Sequence, residues 1–270
     1  MERKFSVEYE NTPFLGTSKT AAHPNRLNWR CEILLTRNQV AIRGKRILDL
    51  ASHDGRFSYA CLELGASHVA GVEGRQHLVE SAKENLVGLG YKPEQFSFLH
   101  GDVFDYLHKV KPGEFDTILC FGFFYHTVRQ NELLREINRI KPGCFILDTY
   151  VARGIFSANP VGSKFTRAKL TCFVRISITL KRLAQQIASP DKGEPCLVFS
   201  PESHVIEAAT IDQIDLVAWP TKTYIEQALR NYGFRFKQLK WNRADITDWT
   251  AIEDYRTGDR VSYLAERSNS

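Results

Sequence analysis

The stretch LDLASHDGRF, residues 48–57, decides how this chain is read. An apolar run, ILDL, ends at Asp49-Leu50, and a helix-like pattern begins at Phe57, so strand, tight turn and helix follow in immediate succession. In open parallel sheets ligands bind beyond the carboxyl ends of the strands, near the point where strand order reverses, so the turn after the first strand is the first place to look for a site. Such turns use glycine because it lets the backbone approach a ligand and adopt conformations closed to other residues. Here only Gly55 remains, and Ala51 and His53 stand where two more glycines are expected.

Outward from this turn, residues 46–151 alternate between strand and helix. RILDLA, HVAGVE, FSFLHG, FDTILCF and GCFILDTYV are short apolar or β-rich runs bounded by turn residues. Between them lie FSYACLEL, RQHLVESAKENLVGLG, VFDYLHK and RQNELLREINRI, which read as helices. The alternation predicts an α/β, doubly wound sheet, mostly parallel, with helices on both faces. Near the C-terminus PTKTYIEQALRNYGF reads as a helix between Pro220 and Gly233, and FRFKQLKW and RVSYLAER as strands that pair antiparallel at the sheet edge. Within one domain we expect a lead-in helix (NRLNWRCEILLTRN) and a flexible flap over residues 1–40, a ligand-binding core over 41–151, a cap insertion between strand five and the last helix over 152–218, and completion of the core sheet over 219–270.

Composition bounds the function. The apolar fraction of 43% and charged fraction of 25% are those of an ordinary globular protein, and no apolar run approaches a membrane span. The N-terminus MERKFSVEYENTPF mixes acids and bases around no apolar core, so no secretory leader is expected and the default location is cytoplasmic, with no membrane partner. The six cysteines form no C-x-x-C pair, so most are expected in the core and no metal site is expected. The net charge is only +5, yet no acidic residue lies between Asp148 and Asp191, a segment containing Arg153, Lys164, Arg167, Lys169, Arg175, Lys181 and Arg182. It reads either as a solvated face or as a contact for something anionic, with Arg153 and Arg167 as candidate substrate-binding residues.

Glu73 ends the second strand, in register to accept hydrogen bonds from both hydroxyls of a ribose, with Gly74 beside it; a solvated strand end is the alternative. Asp102 follows the third strand, where its carboxylate could bond the exocyclic amine of an adenine while Val103 and Phe104 pack on the ring; it also suits a helix N-cap. A dinucleotide pyrophosphate would meet Asp54 and bulky His53 in the turn, an unfavourable environment for a dianion. S-adenosylmethionine carries no phosphate, and its ammonium and sulfonium suit carboxylates at Asp49 and Asp54.

The segments RILDLASHDGRFSYACLELGASHVAGVEGR, FLHGDVFDYL, FDTILCFGFFYHT and IKPGCFILDT resemble, in order over residues 46–150, the successive motifs of class I S-adenosylmethionine-dependent methyltransferases. The resemblance implies a seven-stranded sheet with an antiparallel last strand. It also implies that Asp49, Ala51, Ser52, His53, Asp54 and Gly55 line the methionine moiety, Glu73 the ribose, Asp102 and Val103 the adenine, and Phe121 and Gly122 the floor near the sulfonium. A non-catalytic module that binds S-adenosylmethionine is the alternative from another functional class.

On the acceptor side, methyl transfer is an in-line displacement governed by positioning, and only an acceptor carrying a proton needs a base. His126, at the carboxyl end of the fourth strand, is the candidate base, though backbone hydrogen bonding at a helix start explains it equally well. Tyr125 is read as an orienting group and His53 as the second catalytic candidate. Trp29 and Arg30 on the lead-in helix are expected to cover the bound ligands, with core packing the other role for Trp29. We expect transfer to oxygen or nitrogen of a small, anionic metabolite or natural product. FYHTVRQNELLREINRIKPGCFILDT and the WRCEIL lead-in also resemble the branch of the tRNA wobble-uridine carboxymethyltransferase, which makes a nucleic-acid acceptor, modified by methyl or carboxymethyl transfer, the runner-up.

Overall fold

The strands nearest the middle of the chain's sheet are almost uninterrupted apolar runs because both of their faces are covered by helices. In a computed structural model of the protein, which describes residues 5–17, 20–152, 194–205 and 209–267, these are β1 (Arg46–Leu50), β4 (Thr117–Phe121) and β5 (Cys144–Tyr150). With β2 (His68–Glu73), β3 (Phe96–His100), β8 (Phe234–Gln238) and β9 (Arg260–Arg267) they form a seven-stranded sheet in the order β3-β2-β1-β4-β5-β9-β8. Strands β1 to β5 run parallel and β9 is antiparallel to both of its neighbours, as expected for the last strand. The C-terminal pair closes the sheet edge as expected, with β9 between β5 and β8.

Strand β1 lies between β2 and β4, so the strand order reverses there and a crevice opens at the carboxyl ends. Alternate residues of β1 serve opposite layers: Ile47 packs with α2 (Arg56–Glu63) and α3 (Gln76–Gly88), whereas Leu48 and Leu50 pack with α4 (Val103–Lys109) and α5 (Gln130–Ile140). The helix α6 (Lys222–Asn231) completes the second layer through Ile225 and Leu229. It begins two residues later than Pro220, which instead ends a strand, and Thr221 caps it by accepting from the Tyr224 N–H. Cys31, Cys61, Cys120 and Cys144 are buried.

The N-terminal segment departs from the expected flap. Val7, Tyr9 and Phe14 are buried against α1 (Pro24–Leu34) and α2, the Tyr9 N–H donates to the Asn28 side chain at 3.0 Å, and the Tyr9 hydroxyl donates to the Arg56 carbonyl at 2.6 Å. The few apolar residues among polar neighbours are spaced to reach one core, which average polarity conceals.

Within the expected cap, the described residues form a second, two-stranded sheet, β6 (Leu197–Pro201) antiparallel to β7 (Leu216–Pro220). It is tied to the loop between β4 and α5: the Ala218 N–H donates to the Thr127 carbonyl at 3.1 Å, and Gln130 Nε2 donates to the carbonyls of Phe124, Thr127 and Ala218. No described helix is long and apolar enough to cross a membrane.

Candidate active site

A cavity of about 580 Å³ opens at the carboxyl ends of β1, β2 and β4. The turn that leads into it takes the left-handed backbone conformations that ordinarily favour glycine. Ala51 and His53 take φ of 53° and 55°, and Gly55 takes 82°. For a side chain with a Cβ the left-handed region costs roughly 1–2 kcal/mol per residue, so the fold holds this turn against strain. It does so through the Ser52 N–H to the Val72 carbonyl at 3.1 Å and the His53 N–H to Glu73 Oε2 at 3.0 Å.

Glu73 is thereby fixed from two sides, its Oε1 accepting from the Arg75 N–H at 3.0 Å. Each oxygen still has a lone pair for a ligand hydroxyl. Gly74 beside it packs closely under Ile211, on the segment joining β6 to β7: a Cβ there would lie 2.4 Å from the Ile211 Cδ1, so that side chain would have to shift. Asp102 is the N-cap of α4 and stands at the cavity edge. Its Oδ1 caps α4 by accepting from the N–H groups of Phe104 and Asp105 at 2.8 and 3.1 Å, and the residue lines the cavity with Val103 and Phe104.

The two acids of the turn differ sharply. Asp49 is buried with Ser58 as its hydrogen-bond donor at 2.8 Å, and burial pushes its carboxyl up to about 7, with the Glu73 charge adding to the rise. Asp54 is also buried, yet hydrogen bonds from His53 and Arg56 hold its carboxyl well below the usual range in spite of burial. Arg56 grips it at 2.6 and 2.7 Å and the Thr17 hydroxyl donates at 2.6 Å. Asp54 and Gly55 therefore brace the turn from behind and do not line the cavity, whereas Asp49, Ala51, Ser52 and His53 do. The His53 ring lies 3.3 Å from Arg56 Nη2 and 3.2 Å from Asp54 Oδ1, within this bracing cluster.

Beyond Phe121 and Gly122 the lining changes sign. Asp148, fully buried on β5, accepts from Arg30 Nη2 at 2.8 Å, Arg260 Nε at 2.9 Å, the Ser262 hydroxyl at 2.8 Å and the Tyr255 hydroxyl at 3.0 Å. Despite burial, Arg260 and Arg30 hold its carboxyl below the usual range. Both guanidinium groups are buried and line the cavity, and because Arg260 Nη1 also lies 3.8 Å from Asp254 Oδ2, the three cations Arg26, Arg30 and Arg260 share the two carboxylates Asp148 and Asp254. Asp254 is taken up chiefly by Arg26, at 2.8 and 2.9 Å. Arg260 Nη2 would lie 3.2 Å from a Cβ on Gly122.

Tyr125 and His126 follow on the same rim, their rings 4.0 Å apart. Burial pushes the Tyr125 phenol up to about 12, so it is neutral near pH 7 and a hydrogen-bond donor there. His126 Nδ1 lies 2.5 Å from Glu202 Oε2.

Of the remaining expected residues, Arg30 lines the cavity, whereas Trp29 does not and packs in the core, edge-on to Phe5. Arg153, Arg167 and the basic segment around them lie outside the described residues. Sequence reading missed Arg260, Phe57, Thr210, Ile211 and Glu202. Arg260 had one signal, a charge opening a strand whose next five residues, VSYLA, are uncharged. Glu202 had none.

The charge of the cavity suits S-adenosylmethionine. Among the described residues Asp49 carries no cationic hydrogen-bond partner, and an ammonium or sulfonium nearby would favour its ionised form. No described group of three or more His, Cys, Asp or Glu side chains could hold a metal ion.

Comparison with known proteins agrees. Residues 42–189 match a family model described as a methyltransferase domain. A putative protein N5-glutamine methyltransferase of Methanocaldococcus jannaschii is 33% identical over 123 residues, which are 44% of this chain and 59% of that protein, so the chain matches about three-fifths of its curated relative. A putative S-adenosylmethionine-dependent methyltransferase from Listeria monocytogenes has the same fold, with a TM-score of 0.57 at 13% identity over 89% of this chain and 97% of that one. The N-terminal domain of EvdMO1, solved with S-adenosylhomocysteine and D-fucose, gives a TM-score of 0.55 at 17% identity over 86% and 81% of the two chains.

Proposed function

Because the chain belongs to the methyltransferase-domain family, with a class I fold and S-adenosylmethionine as its cofactor, we propose that it methylates oxygen or nitrogen of a small acceptor bearing a carboxylate or phosphate. The observation that carries this reading is the buried pair Arg30 and Arg260, sharing Asp148 at the cavity wall beside Gly122. A buried cation in excess of its counter-charge is costly until an anion joins it. Guanidinium groups are the side chains best suited to hold a carboxylate or phosphate by paired hydrogen bonds.

In this reading Glu73 holds the ribose, Asp102, Val103 and Phe104 the adenine, and Asp49 with Ser52 the aminoacyl end. When bound, the cofactor supplies an electrophilic methyl group whose departure leaves a neutral thioether. The protein positions the acceptor against it: Arg30 and Arg260 fix the anionic end, Tyr125 donates a hydrogen bond, and His126 takes the acceptor's proton. The amide acceptor named for the Methanocaldococcus relative is neutral, so it would offer the two guanidinium groups a hydrogen-bond acceptor but no counter-charge.

A donor whose transferable carbon itself bears a carboxylate, as in carboxymethyl transfer, would bring an anion to the same arginines. That is the second reading, and the tRNA-modifying enzyme belongs with it. Matched small-molecule acids and their amides, assayed for S-adenosylhomocysteine release, separate the cases. Acids are expected to turn over at least tenfold faster than their amides. Equal rates, or release only with tRNA or only with a carboxylated donor, would overturn the first reading. His126→Ala is expected to lower kcat at least a hundredfold with cofactor affinity intact.

A further inference from the structure

The geometry points to Glu202 as the positioning residue that fixes the tautomer of His126. This inference rests on the reading of His126 as the base. Glu202 follows the last residue of β6, and its backbone N–H donates to the Asp215 carbonyl across the hairpin at 3.0 Å. The hairpin in turn is bound to the loop carrying His126 by the Ala218 to Thr127 hydrogen bond and by the three bonds of Gln130. The carboxylate therefore arrives on a rigid support, 76 residues away in the chain.

Glu202 Oε2 meets His126 Nδ1 at 2.5 Å and also accepts from the Thr210 N–H at 2.7 Å. A carboxylate can only accept, so in the neutral imidazole the proton is on Nδ1 and the lone pair on Nε2. The ring lines the cavity and makes no other side-chain hydrogen bond among the described residues, which leaves Nε2 for the acceptor. The balance is then complete. Nε2 receives the proton of the acceptor X–H as its lone pair forms the X–C bond. The C–S pair stays with sulfur, and the new imidazolium faces the Glu202 carboxylate until its proton leaves to solvent. An orienting carboxylate of this kind commonly governs both the tautomer and the basicity of a histidine.

Two measurements test the inference. The first needs no turnover: nitrogen-15 shifts of the His126 ring should report the Nδ1–H tautomer in the wild type and a shift toward Nε2–H in Glu202→Ala. A wild-type Nε2–H tautomer would overturn the assignment. The second uses Glu202→Gln, expected to lower kcat ten- to a hundredfold with the cofactor Kd unchanged, to move the acidic limb of the pH–rate profile to lower pH, and to be partly rescued by Glu202→Asp. In a His126→Ala background the same substitution should cost nothing further; an equal loss there would assign Glu202 a purely structural role. If His126→Ala itself turns over normally, the base reading fails, while the tautomer measurement still judges the pairing.

Discussion

Toward β1 to β3 the cavity is lined by the acids Asp49, Glu73 and Asp102, while Arg56, also in the lining, is neutralised by Asp54 behind it. Past Gly122, Arg30 and Arg260 share Asp148. The acidic end suits a cationic nucleoside, and the proposed function gives the basic end to an anionic acceptor. Each end buries charge at a cost that the matching ligand offsets, and each can be tested separately.

The largest effect is expected where the basic end is broken. Asp148→Asn leaves the buried Arg30 without its carboxylate and Arg260 with only Asp254, 3.8 Å away, and unpairing a buried charge typically costs about 3–5 kcal/mol. Urea unfolding should show a loss of that size, and Arg260→Leu, which leaves Asp148 with Arg30, a smaller one. A loss below about 1 kcal/mol for Asp148→Asn would mean that the cluster is hydrated and poorly coupled, and the contrast between the two ends would weaken.

At the acidic end Glu73→Ala removes an acceptor already oriented by two backbone N–H groups. Calorimetry should register a ten- to hundredfold loss of affinity for both S-adenosylmethionine and S-adenosylhomocysteine, since two hydrogen bonds to a charged group vanish. Undiminished affinity would contradict the ribose assignment.

The two ends also differ in how they are written in the chain. Residues of the acidic end sit at consecutive strand termini, each within a short motif, so periodicity and spacing reveal them before any fold is built. The basic end joins α1, β5 and β9, whose arginines and aspartate lie 118 and 112 residues apart. Only the insertion of β9 beside β5 brings Arg260 to Asp148, and no local signal encodes that adjacency. Glu202 is hidden for the same reason, because a hairpin in a segment that breaks the strand–helix alternation carries it. Trp29 and Asp54 show the converse: residues of suggestive type can be used for packing and for bracing the turn.

A finer test of the acidic end is its pH dependence. In the folded protein Asp49 titrates near 7, above its ordinary range, because burial favours the neutral acid. Between about pH 4 and 7 the folded state holds a proton that the unfolded state has lost, so ligand-free stability should fall as pH rises through that window and then level off. A cationic ligand selects the carboxylate, so S-adenosylmethionine affinity should rise about tenfold from pH 6 to pH 8. In Asp49→Asn both trends should disappear, with weaker binding and a ligand-free protein more stable at pH 8 than the wild type. A pH-independent affinity in the wild type would remove Asp49 from contact with the ligand's cation.

The smallest effect concerns the turn itself. Ala51 is held at a φ of 53°, where its Cβ costs roughly 1–2 kcal/mol. Glycine relieves that strain but loses about 0.5–1 kcal/mol of chain entropy on folding. Ala51→Gly should therefore stabilise the protein by up to about 1 kcal/mol in urea unfolding, the balance of those two terms. Gly55→Ala is the counterpart. It adds a Cβ at a φ of 82°, between 3.1 and 3.2 Å from Ala82, Leu86 and Phe98, so strain and crowding act together and stability should fall. If Ala51→Gly destabilises instead, the Ala51 methyl contributes more to the cavity wall than its backbone costs, and the missing glycines reflect packing at the ligand face.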